Sequence, residues 1–145
     1  MKELDKNTAQ YTPTNAAPID MVGNGEYLIS QCWAHDTYKA KIGGMPLEIV
    51  IPPDTAYEIG GSAIIKGAPN IDNAEAFIDW LLTKELQELN TDISKRYPVR
   101  SDVASPDGLP MLSDVKLVDY DRAKAGSMMD AIKEIFQAEI LDKRS

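Results

Sequence analysis

The stretch from Gly60 to Leu89, GGSAIIKGAPNIDNAEAFIDWLLTKELQEL, constrains the fold most, because an apolar run, a turn and an amphipathic helix follow one another directly. Ala63-Ile64-Ile65 is short, β-branched and bounded by Gly60-Gly61 and by Gly67 with Pro69, which predicts a buried strand. Ala74, Phe77, Ile78, Leu81 and Leu82 then recur at i, i+3, i+4, i+7 and i+8, which puts them on one helical face. Asp72 stands where it can cap the first turn, and Glu75 three residues on completes a capping-box pattern. A second short helix is expected from Thr83-Lys84-Glu85 through Leu86 and Leu89.

Composition narrows the class. The 145 residues are 43% hydrophobic and 26% charged, enough for one domain with a real core. No run approaches the ~18 apolar residues of a membrane span. The N-terminus Met-Lys-Glu-Leu-Asp-Lys lacks the apolar core of a secretory signal, so export is not legible here. A net charge of -8 with scattered Lys and Arg argues against nucleic-acid binding, which needs clustered cations. The single cysteine, Cys32, excludes an internal disulfide and a multi-cysteine zinc site. One histidine excludes a multi-histidine centre, and no phosphate loop or nucleophile elbow occurs, so no enzyme is expected.

In chain order, residues 1–14 are polar and expected to be weakly structured. Thr14 or Asn15 can cap a helix through Val22, with Pro18 tolerated in its first turn. Gly25-Glu26 opens an expected strand, Tyr27 to Cys32, before a helix from Trp33 to Ile42 that stops at Gly43-Gly44. Pro46 to Ile51 reads as another strand, closed by Pro52-Pro53. After an irregular connection over 101–119, Asp119 or Asp121 caps a last helix. Its apolar face holds Ala125, Met128, Met129, Ile132, Ile135, Phe136 and Ile140, and Asp142, Lys143 and Arg144 are expected to let its end fray.

KGAPNIDNAEAFIDWLLTKELQEL, followed by YPVR at Tyr97–Arg100, resembles the C-terminal part of the solute-binding proteins of ABC importers. The likeness is greatest to the group of ferric-ion and 2-aminoethylphosphonate binders. It implies an α/β chain, a partial periplasmic-binding fold of the type II-like, crossing-strand class: the remainder of the second lobe plus C-terminal return segments. Residues 1–58 would be part of the second lobe, 59–119 the crossing strand and helices returning to the first, and 120–145 a helix packing on the second. The first lobe's opening segments are absent, so the resemblance implies a fragment. Its parent would work in the periplasm or outside the cell, handing solute to an ABC permease. Uncovered faces and strand edges favour a homodimer of such a piece.

The same resemblance designates site residues. An anion-contacting Asn lies ahead of the metal-binding tyrosines of ferric-ion binders, and Asn15 occupies the matching position, with Thr14 beside it. Capping by Thr14 or Asn15 and anion contact remain alternatives. The tyrosine pair itself falls at His35 and Asp36, so neither tyrosine is present. Phenolates suit Fe(III), whereas imidazole and carboxylate suit divalent metals or a polar solute. His35 and Asp36 are thus candidate solute or metal contacts, with Fe(III) a possible cargo and no cofactor certain, and Trp33 a candidate cleft wall. The loop Pro52-Pro53-Asp54-Thr55-Ala56-Tyr57 keeps part of a family loop, which adds Thr55 and Tyr57, with Glu58, as cleft candidates. The cargo implied is ferric iron with its anion or an organophosphonate. The effector-sensing domain of a cytoplasmic regulator is the alternative setting for the same fold.

Overall fold

The computed structural model describes residues 1–144. Among them six α-helices are formed: α1 (Lys2–Asp5), α2 (Ala16–Gly23), α3 (Ala34–Ile42), α4 (Ile71–Leu81), α5 (Lys84–Ser94) and α6 (Arg122–Glu139). Two compact units result, one of Met1–Pro13 with the stretch that starts at Asp119, the other Thr14–Val118.

The expected strands are the main correction. Tyr27–Cys32, Pro46–Ile51 and Ala63–Ile65 have no ladder; the one β pairing among the described residues is an isolated parallel bridge between Thr55 and Leu117. An α/β class is therefore not what this chain forms by itself. A helix closes its own hydrogen bonds, whereas a strand needs a neighbour's backbone. The Pro46–Ile51 segment keeps strand-like alternation: Leu47 is buried, Ile49 and Ile51 are half-buried, and Glu48 and Val50 are exposed.

Within the larger unit, α2 packs on α3 and α4 packs on α5. Ile19, Leu47 and Val103 form its buried apolar core, while Phe77 and Leu82 of the expected stripe stay about half exposed, as does Trp80. The capping box expected at Asp72 and Glu75 is not made. Helix α4 starts one residue earlier than Asp72, with Asn70 as N-cap and no side-chain cap, so Asp72 contributes only its charge to the first turn. Thr83 does cap α5, its hydroxyl accepting from the Leu86 N–H at 3.3 Å. Thr14, rather than Asn15, supplies the hydroxyl at the start of α2, where Oγ1 accepts from Ala17 N–H at 3.4 Å.

In the smaller unit, Asp121 is the residue that caps α6, accepting from Lys124 N–H at 2.9 Å. The expected fraying at the far end does not occur. The chain turns at Leu141–Lys143, and the Arg144 guanidinium donates to Asp5 Oδ1 at 2.7 Å, to Ala9 O at 3.1 Å and to the Thr8 carbonyl. It also lies 4.7 Å from the centroid of the Tyr11 ring, which meets Phe136 edge-on. These contacts order the first residues as well, contrary to their polar sequence. Of the expected apolar face of α6, Phe136 and Ile140 are covered, whereas Met128, Met129, Ile132 and Ile135 stay exposed.

Candidate functional site

Three of the candidate residues meet on the first turn of α3. Trp33 is the N-cap, extended at φ -68° and ψ 131°, and its carbonyl receives both the N–H and the hydroxyl of Thr37. With no side chain on the free N–H groups of Ala34, His35 and Asp36, this end presents donors and the positive pole of the helix.

The indole of Trp33 and the imidazole of His35 lie 6.2 Å apart at a 36° tilt. His35 Nε2 is 3.4 Å from Asp36 Oδ1, and the imidazole is largely covered. Desolvation pulls the His35 pKa below its usual value; the carboxylate of Asp36 opposes this, and the charges of Arg96 and Lys39 reinforce it. The ring is consequently neutral at pH 7, with one donor and one acceptor nitrogen. Lys39 reaches it from one turn along α3. Arg96 comes from the connection after α5.

Tyr38 packs on the 101–110 connection. Gly108, at φ +85°, leaves space for it: a Cβ there would lie 2.7 Å from Tyr38 Cε2. Tyr97 ties the same connection to its own segment, its hydroxyl donating to Pro110 O at 3.1 Å. Burial raises the Tyr97 pKa, so the hydroxyl stays protonated.

The other candidates sit elsewhere. Thr14 and Asn15 start α2, the helix that packs on α3. Thr55 pairs with Leu117 and accepts from Val118 N–H at 3.0 Å, with Asp54 at φ +59° bonded to Lys116 at 2.7 Å. Tyr57 follows on the same extended stretch, half-buried. Among the described residues no group of three or more His, Cys, Asp or Glu is placed to hold a metal ion. An open depression lined by Ala68–Asn73 at the start of α4 contains Asp72, which repels an anion.

Sequence reasoning missed Arg96, because its charge meets His35 only through the fold. Lys39 was within reach, since i and i+4 share a helical face.

Residues 1–116 match the family model of the bacterial extracellular solute-binding proteins. The chain belongs to that family. Its members are binding proteins rather than enzymes. The chain is 39% identical over 131 residues to a protein of Haemophilus influenzae that carries no functional name. The match covers 88% of this chain and 38% of that protein, so the chain spans well under half the length of its relative. No solved structure matches it. No helix among the described residues is long and apolar enough to cross a membrane.

Proposed function

We propose that this chain forms part of the solute-binding component of an ABC importer, working outside the cytoplasmic membrane beside its permease, and that the first turn of α3 contacts a small anionic solute. The observation that carries the reading is the neutral, desolvated His35 at a helix N-terminus, under the charges of Arg96 and Lys39 and next to the Trp33 indole. Open backbone donors, a helix dipole and two cations favour negative charge at one point, against the single opposing carboxylate of Asp36. A neutral imidazole adds a hydrogen bond without demanding a metal.

An organophosphonate or phosphate fits this donor set. Ferric iron carried with an anion is the second cargo, with His35 and Asp36 as its protein contacts, and it requires oxygen ligands from outside this turn. Thr14, Asn15, Thr55 and Tyr57 are further contacts in the same reading.

Trp33 reports on the site directly. In a Trp80→Phe background, titration with 2-aminoethylphosphonate, phosphate or Fe(III)-citrate changes Trp33 fluorescence saturably for the solute bound, and His35→Ala weakens the response. A flat Trp33 signal with all three solutes contradicts the reading.

A further inference from the structure

We propose that residues 5–11 form a cradle for a guanidinium group, that Arg144 fills it, and that the filled cradle straps Met1–Pro13 onto the end of α6. The inference concerns the smaller unit alone and does not depend on a solute at His35.

One side chain meets a matched set of acceptors. Arg144 Nε donates to Asp5 Oδ1 at 2.7 Å, Nη1 to Ala9 O at 3.1 Å, and Nη2 to Asp5 O at 3.1 Å and to the Thr8 carbonyl. The guanidinium stands 4.7 Å over the centroid of the Tyr11 ring, and the Tyr11 hydroxyl donates to the same Asp5 Oδ1 at 3.2 Å. A carboxylate, three carbonyls and an aromatic face suit a flat, forked cation. A lysine ammonium is a single point and cannot reach them together. The acceptors are set by a local turn, in which Asn7 N–H donates to Leu4 O at 3.0 Å and Thr8 N–H to Asp5 O at 3.1 Å.

Burial does not anchor this segment. No residue of 1–13 is buried, and α1 has four residues, far below the ~12–15 at which an isolated helix is even marginal. Arg144 and Asp5, by contrast, are well covered, with side chains 26% and 22% exposed. The Lys2–Glu139 pair is more open and contributes less. The strap covers Phe136, whose ring Tyr11 meets edge-on at 5.1 Å. Phe136 stands one turn beyond Ile132, continuing the bare stripe of Met128, Met129, Ile132 and Ile135. Emptying the cradle therefore adds an aromatic ring to the open face of α6, while the helix keeps its own cap at Asp121.

The chain has two phenylalanines, so fluorophenylalanine labelling gives one fluorine NMR signal under the strap, from Phe136, and one control in the larger unit, from Phe77. In Arg144→Ala the Phe136 signal is expected to move to the position it takes in Tyr11→Ala, and tryptic cleavage after Lys6 to become at least about tenfold faster. The Phe77 signal and the helical circular dichroism stay unchanged. Arg144→Lys behaves like Arg144→Ala. Guanidinium chloride at millimolar, non-denaturing concentration restores both readouts in Arg144→Ala, whereas equal methylammonium chloride or sodium chloride does not. If Arg144→Ala loses helix, Asp5→Asn is the second variant and must speed cleavage after Lys6 with the helix intact. An unmoved Phe136 signal, wild-type behaviour of Arg144→Lys, a failed or unselective rescue, or loss of helix in both variants overturns the proposal.

Discussion

The side-chain oxygen of Gln87 accepts the Val99 N–H at 3.0 Å, while its Nε2 donates to the Leu81 carbonyl at 2.8 Å. One buried amide thus joins the end of α4 to the segment after α5 that supplies Arg96. Arg100 adds a bond from Nη1 to Leu82 O at 3.1 Å. This clamp holds the segment on which Arg96 approaches His35.

Gln87→Ala removes both bonds and leaves their partners unsatisfied, at a cost of about 1–3 kcal/mol. Gln87→Glu keeps the acceptor for Val99 but sets a carboxylate against the Leu81 carbonyl, so its loss is comparable. Urea unfolding of the two variants measures this, and unchanged midpoints would remove the clamp from the account.

Gly108→Ala meets two penalties. The φ of +85° disfavours any side chain, by roughly 1–2 kcal/mol on the left-handed cost. The new methyl also meets the Tyr38 ring. A double-mutant cycle with Tyr38→Ala separates them: the clash vanishes in the pair and the backbone strain persists.

Lys143 and Lys2, each 2.7 Å from Glu139, hold that carboxyl down at about 2. The folded value lies below the unfolded one, so the stabilisation is present above about pH 4.5 and is lost as pH falls from there toward 2. Glu139→Gln is expected to flatten that part of the acid transition followed by helical circular dichroism. Added salt weakens the effect, since the groups are exposed.

His35 has the same sign from a different cause. Its folded pKa lies below the unfolded value, so the unfolded chain takes up the proton first and stability falls as pH drops below about 6.5. A bound anion opposes the depression that desolvation, Arg96 and Lys39 impose, so solute binding takes up protons as the pH falls below the ordinary histidine value of about 6.5. Calorimetry in buffers of different ionisation enthalpy reads that uptake, and His35→Gln removes it.

The helices were legible because their signals are local. The spacing of Ala74, Phe77, Ile78 and Leu81 marks α4, and Asp121 marks the start of α6. The strands were misjudged because β-branched runs such as Ala63-Ile64-Ile65 show a preference but not a partner. Thr83 was legible as the start of α5, which it caps, whereas Asp72 lies one residue inside its helix. The candidate site was half legible: Trp33, His35 and Asp36 lie within four residues of one another, but the charge of Arg96 acts on His35 across sixty-one positions of sequence. Arg144 escaped for a similar reason, since its bonds to Asp5 and Ala9 join the two ends of the chain.

The most direct test of the central claim is calorimetric titration of the chain with 2-aminoethylphosphonate, phosphate and Fe(III)-citrate in separate runs. The account predicts saturable binding of one of them, weakened at least about tenfold, or 1.4 kcal/mol, by Arg96→Ala and by His35→Ala. Binding that is indifferent to both substitutions, or none with any of the three, would contradict it.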